Sequence, residues 1–142
     1  MKDYEVQIDE PTEENGREAV DYSIRLPEAE TEIMLAAWEL GSPFTSSMLM
    51  KTVGKNRGWK TPTLISFLTR LEYRGFLRSS KEGKERSYHI LADREKYLSA
   101  AAQQFVAKYY GGSFVRILDS LFRDREFSNS EIDELLEWLK NR

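Results

Sequence analysis

Cysteine is absent from the 142 residues, and histidine occurs only once. The lack of cysteine excludes disulfides and thiolate metal sites, and we expect neither a metal nor a cofactor. His89 stands in a strand-like run and is interpreted as a structural residue, not as a general base. No pair of acidic residues has a spacing suited to acid–base catalysis, and no glycine-rich loop suits phosphate binding. The sequence therefore predicts a protein that is not an enzyme.

Long apolar runs are also missing, since none approaches the ~20 residues that a membrane span requires. The first ten residues lack the apolar core of a secretory signal. We therefore expect cytoplasmic localisation and no membrane insertion. The hydrophobic and charged fractions, 40% and 32%, are typical of a soluble globular protein.

Charge is unevenly distributed, although the net charge is only −3. Residues 51–86 contain ten basic and three acidic residues, a local net charge of +7, whereas residues 1–30 contain ten acidic and three basic residues, a local net charge of −7. Such asymmetry indicates a polyanionic partner, with a merely solvated basic surface as the alternative. Residues 1–25 have little apolar pattern, and we predict a mostly disordered acidic arm with at most one short ordered stretch.

Three helices and a hairpin are predicted for residues 26–92. Apolar periodicity, capping residues and glycines indicate helices over 27–40, 45–54 and 61–74, with a loop at 55–58. Thr61 is the predicted cap of the third helix, with Pro62 at its first helical position. Residues 76–80 and 87–91 resemble strands on either side of a polar turn that contains Gly83. Helices followed by such a hairpin predict a winged helix-turn-helix domain.

The remaining residues, 93–142, are predicted to form about three helices. The first ends at Gly111-Gly112, Ser113 caps the second, and Ser128 with Glu131 forms a capping box for the third. The predicted fold class is therefore mainly α with a small β-hairpin. It comprises a winged-helix domain at 26–92 and a C-terminal helical dimerisation domain at 93–142.

The third helix carries side chains suited to reading DNA. Thr63, Ser66 and Arg70 share one face, separate from the apolar positions, and short polar side chains near a helix N-terminus can reach base edges in the major groove. Ile65 beside them suits contact with a thymine methyl group. Basic residues before the helix and on the hairpin suit phosphate contacts. The predicted DNA-binding residues are Lys55, Arg57, Lys60, Thr61, Thr63, Ser66, Arg70, Lys81, Lys84 and Arg86.

Residues 93–142 carry more apolar side chains than so short a segment can bury alone. A two-fold partner would bury the surplus, whereas helices folded back on the winged domain are the alternative. The predicted dimerisation residues are Tyr97, Phe105, Tyr109, Phe114, Leu121, Ile132, Leu135, Leu136 and Leu139.

Residues 59–77, WKTPTLISFLTRLEYRGFL, resemble the penicillinase and methicillin-resistance repressors of the BlaI/MecI/CopY type. Segments 28–41, 105–113 and 128–135 resemble the first helix, the dimerisation segment and the last helix of that family. The resemblance implies a homodimer that binds a palindromic double-stranded DNA operator and blocks transcription. It places groove reading at Thr63 and Ser66, and phosphate contacts at Lys60 and Arg70.

The chain departs from this family pattern at informative positions. Pro62 and Ile65 stand where family members often carry basic residues. Some members are inactivated by cleavage of an Asn-Phe bond, which raises a membrane metalloprotease sensor as a further partner, but the matching pair here is Gln104-Phe105. The cysteine cluster of the copper-responsive branch has no counterpart. A winged-helix protein–protein interaction module without sequence-specific DNA binding is the alternative function, since the acidic arm would suit a basic partner.

Overall fold

The computed structural model describes residues 20–142. Residues 1–19, most of the predicted arm, lie outside the described residues. Residues 20–25 belong to the ordered fold, which is compatible with the short ordered stretch that the prediction allowed. Val20 is buried, and the Tyr22 hydroxyl accepts a hydrogen bond from the backbone N–H of Asp93 at 2.8 Å.

The first unit begins with helices that closely follow the local sequence signals. Helix α1 spans Glu28–Leu40, and α2 spans Ser46–Leu49 after Thr45, whose side chain accepts from the N–H of Met48. A π-helical stretch, Met50–Gly54, leads directly into α3, Lys55–Arg57. The predicted loop at 55–58 is therefore wrong, because the helix continues until Gly58 adopts a left-handed conformation with φ 69°.

Helix α4 spans Thr61–Tyr73, and its cap is Lys60, one residue earlier than predicted. Strands β1, Leu77–Glu82, and β2, Glu85–Ile90, pair antiparallel and leave only Gly83 and Lys84 as the turn. The hairpin is longer than predicted, and Lys81 pairs with Arg86 within the ladder. An isolated bridge joins Phe44 to Tyr88 at the base of the hairpin. This is the predicted winged helix-turn-helix order.

The core of the first unit lies between α1, α2, α4 and the hairpin. Its largest fully buried apolar side chains are Phe44, Phe76, Ile33, Met34, Leu49, Leu64, Leu68, Leu71 and Leu77. Burying side chains of this size stabilises a fold by about 1.5–3 kcal/mol each. The apolar stripe of α4 thus fixes that helix to the core and leaves its opposite face outward.

Three further helices follow, as predicted: α5, Arg94–Tyr110, α6, Phe114–Arg123, and α7, Asn129–Lys140. Ser113 caps α6, and the capping box of Ser128 and Glu131 is present at α7. The chain divides into two compact units, of which the first reaches Ala101 and the second is Ala102–Arg142. In the described part of the chain, no helix is both long and apolar enough to cross a membrane.

The prediction that Tyr97 is a dimerisation residue is wrong. It is buried in the first unit, where its ring meets Phe76 edge-on at 5.6 Å between centroids. Its hydroxyl accepts a hydrogen bond from the backbone N–H of Leu26 at 3.1 Å. These contacts carry the start of α5 into the first core, beyond the predicted boundary after residue 92.

Candidate nucleic-acid interface

The outward face of α4 is the centre of the candidate interface. Leu64, Leu68 and Leu71 anchor the helix in the core, whereas Thr61, Thr63, Ser66 and Arg70 are all exposed. The Thr63 N–H and the Leu64 N–H both donate to the Lys60 carbonyl in the first turn, at 3.0 and 3.1 Å. Four of the predicted DNA-binding residues therefore lie on one regular, solvent-facing helix.

The hydroxyl groups of this face are oriented by the helix itself. Ser66 Oγ donates to the carbonyl oxygen of Thr63 at 3.0 Å. Thr69 Oγ1 likewise donates to the carbonyl oxygen of Ile65 at 3.0 Å. With their protons directed at backbone oxygens, these hydroxyls present lone pairs to an incoming partner. Sequence reasoning placed Ser66 on this face but did not find this internal bonding.

Basic side chains lie on both sides of α4 in the chain. Lys55 and Lys60 are exposed before the helix, and Lys81, Lys84 and Arg86 are exposed on the hairpin. The hairpin is thus a wing with cations on both of its strands and in its turn. Cations at these positions suit the phosphate backbone of a duplex.

Arg57 is engaged in a way that the sequence did not reveal. Its guanidinium forms an ion pair with Glu32 of α1 and lies 3.7 Å from the carboxylate of Glu28. The same guanidinium carbon is 5.2 Å from the centroid of the Trp59 ring. A phosphate contact by Arg57 would compete with these carboxylates.

Two glutamates anchor the wing to the helices, and neither was identified from the sequence. Glu85 of β2 accepts hydrogen bonds from Ser46 Oγ, Ser47 N and Ser47 Oγ of α2, at 3.2, 3.0 and 2.5 Å. The hydrogen bonds from Ser47 hold the pKa of the Glu85 carboxyl below its usual range. An acid in a basic wing gave no local signal, because its partners lie almost forty residues away in the chain.

The second anchor joins the wing to α4 itself. Glu72 accepts hydrogen bonds from the N–H and the hydroxyl of Ser79, at 3.2 and 2.9 Å. Arg86 donates to the same Ser79 hydroxyl at 3.1 Å. A single chain of hydrogen bonds therefore connects Glu72 of α4, Ser79 of β1 and Arg86 of β2, and it ties the wing to α4.

A buried ion pair holds the C-terminal end of α4 against α1. Glu30 is 1% exposed, and its Oε1 atom lies 2.8 Å from Nε of Arg74, the residue that ends the helix. Charged groups are buried only at considerable cost unless they are paired. The pair therefore compensates the buried carboxylate of Glu30 and ties the end of α4 to α1.

Apart from Tyr97, the predicted dimerisation residues lie in the second unit. Seven of the remaining predicted residues are exposed, namely Phe105, Tyr109, Phe114, Leu121, Ile132, Leu136 and Leu139, and Leu135 is half-buried. Val115, Phe122 and Trp138, which the predicted set omits, are exposed as well. The Gln104–Phe105 bond lies inside α5, so its cleavage would require local unfolding of that helix.

Comparisons with known proteins agree on one family. The family model for the penicillinase repressor matches residues 26–141. The penicillinase repressor of Bacillus licheniformis is 29% identical over 121 residues, which cover 83% of this chain and 94% of that protein. The methicillin resistance regulatory protein MecI of Mammaliicoccus sciuri is 25% identical over 75% of this chain and 86% of that protein. The solution structure of the DNA binding domain of the repressor BlaI is 29% identical, with a TM-score of 0.46 over 51% of this chain and 88% of that chain.

Proposed function

Because this chain belongs to the penicillinase repressor family, a family of transcriptional repressors and not of enzymes, we propose that it binds DNA sequence-specifically as a homodimer and represses transcription from a palindromic operator. The observation that carries the proposal is the outward face of α4. This face is exposed, its back is packed against the core, and exposed cations lie before the helix, at Lys55 and Lys60, and on the wing.

The chemistry of the side chains indicates which residues would contact bases and which would contact phosphates. Thr63 and Ser66 near the start of α4 suit base edges in the major groove, where an α-helix fits. Lys60 and Arg70, together with the wing residues Lys81 and Lys84, suit the phosphates. Arg86 is held by Ser79 and would contribute its charge from a fixed position.

Selection from random duplexes tests sequence-specific binding directly. We expect one motif to be enriched and its affinity to fall steeply with salt, because bound cations release counterions from DNA. Thr63→Ala is expected to relax the base preference at one position of the motif without changing the salt dependence. Lys60→Ala is expected to weaken all duplexes alike and to reduce the salt slope by about 1.

Lys96→Ala is the matched control for the lysine variant. Lys96 is exposed at the start of α5, outside α4 and the wing, and its removal should leave both motif and salt slope unchanged. A protein that enriches no duplex would contradict the proposal and favour the protein-interaction module. Equal loss of affinity in the Lys60 and Lys96 variants would show that only the overall charge matters.

The apolar surface of the second unit supports the homodimer. Large apolar side chains are exposed on each of its helices, among them Tyr109, Leu121 and Leu136, and an isologous contact between copies would cover them. Two copies of α4 related by a two-fold axis would then meet successive major grooves about 34 Å apart. The palindromic operator follows from that symmetry.

Leu121→Glu tests the dimer. The introduced charge should dissociate the protein in sedimentation experiments and weaken binding to the palindromic motif much more than binding to a half-site. Leu35→Glu is the control, since Leu35 is an exposed leucine on α1, in the other unit. A Leu121→Glu protein that remains dimeric would place the contact elsewhere.

A further inference from the structure

The outer surface of α4 includes a mainly apolar depression. A shallow, open depression on this helix is lined by Thr61, Pro62, Ile65, Ser66, Thr69 and Arg70. Ile65 is 41% exposed. It lies about one helical turn from Pro62 and from Thr69, and Ser66 lines the same depression. Apart from Arg70, no side chain in this lining carries a charge.

The polar atoms of the depression contribute little donor capacity. The hydroxyl protons of Ser66 and Thr69 are directed at backbone carbonyls of α4, and proline has no N–H to offer. Bases that present hydrogen-bond acceptors, such as guanine, therefore find few donors here besides Arg70. The remaining chemistry is the proline ring, the isoleucine side chain and the carbon atoms of the two hydroxyl residues.

We infer that Ile65 is a specificity-determining residue that recognises the C5-methyl group of thymine. This inference rests on the proposed function, because it assigns a base to the reading face of α4. Among the four DNA bases only thymine carries a methyl group in the major groove, where apolar side chains contact it. Arg70 lines the depression, and Lys60, which is exposed, directly precedes its first lining residue in the chain. These cations suit DNA phosphates and not an apolar peptide.

The helix geometry sets the length of DNA that this surface covers. Pro62 and Thr69 are seven residues apart, which corresponds to about 10 Å along α4. This length corresponds to about three base-pair steps of 3.4 Å. The operator should therefore carry thymine, on either strand, within a window of about three base pairs that faces this surface.

Replacing thymine by uracil in the selected duplex tests the inference, since uracil lacks only the methyl group. We expect the wild-type affinity to fall about fourfold at the position that Ile65 contacts, the effect of one buried methyl(ene) group. The Ile65→Ala protein should bind the thymine and uracil duplexes equally well. A duplex with 5-methylcytosine at that same position should bind the wild type more tightly than a duplex with cytosine there, because it restores the methyl group.

Leu35→Ala is the control variant, since it shortens a similarly exposed aliphatic side chain on α1, and it should retain the full response to uracil. If uracil is tolerated throughout the window, or if Ile65→Ala still discriminates against it, the inference is overturned while the repressor function stands. If no duplex is enriched at all, the proposed function fails first, and a protein partner for α4 takes its place.

Discussion

Replacing Arg74 by methionine is expected to lower the free energy of unfolding, because it leaves the carboxylate of Glu30 buried without its cation. Loss of one partner from a buried pair costs about 3–5 kcal/mol. The Arg74 side chain is 32% exposed, so water can partly replace it, and we expect a loss of about 2–3 kcal/mol. The end of α4 would also lose its ion pair with α1.

A double-mutant cycle separates the pair from simple loss of packing. Glu30→Leu with Arg74→Met replaces both charges by apolar groups, and this double variant should unfold within about 1 kcal/mol of the wild type, since such replacements of buried pairs are often neutral. Urea unfolding followed by far-UV circular dichroism measures each variant, at one fixed protein concentration because self-association would add to stability.

Arg70→Met on the same helix is the control, because Arg70 is exposed, and it should change stability by no more than about 0.5 kcal/mol. The reasoning is refuted if Arg74→Met costs no more than this control. It is also refuted if the double variant is as unstable as the sum of the two single variants, because the charges would then not be coupled.

Three further predictions concern the core, the wing and the last helix. Phe76→Ala should destabilise the protein by about 3–5 kcal/mol. Tyr73→Ala changes a side chain that is 93% exposed, and it should alter the free energy of unfolding by no more than about 0.5 kcal/mol in the same urea titration. Equal effects of the two substitutions would contradict the assignment of the core. Because the pKa of Glu85 is lowered in the fold, its stabilising effect is complete above the ordinary glutamate value and is lost as the pH falls through the lowered value. Glu85→Gln should therefore be less stable than wild type at pH 7, and this difference in the free energy of unfolding should vanish at acidic pH. A difference that stays the same at acidic pH would contradict stabilisation by the hydrogen bonds from Ser47 to Glu85. Ser128→Ala should lower the free energy of unfolding by about 1 kcal/mol through loss of the cap. Ser130→Ala, two residues further along and inside α7, serves as its control in thermal unfolding.

Local signals in the sequence were sufficient where the structure depends on neighbouring residues. Gly41 and Gly58 adopt positive φ angles where helices end, and the Ser128 capping box acts over three residues. The same kind of signal is ambiguous at residues 55–57, which are helical, since polar residues before a glycine indicate a loop as readily as a last helical turn. The wing was recognised, but its length depended on strand pairing that no local pattern specified.

The amino-acid sequence by itself determined the order of helices and strands, the basic segment and the apolar stripe of α4, because caps, glycines and periodicity act within a few residues. Only the tertiary structure decided which distant groups meet. Tyr97 meets Leu26, 71 residues away in the chain, and Arg74 meets Glu30, 44 residues away. Glu85 likewise accepts hydrogen bonds from the distant Ser47. Such contacts depend on how the packed core brings separate elements together, and a carboxylate or a phenol carries no local mark of its partner.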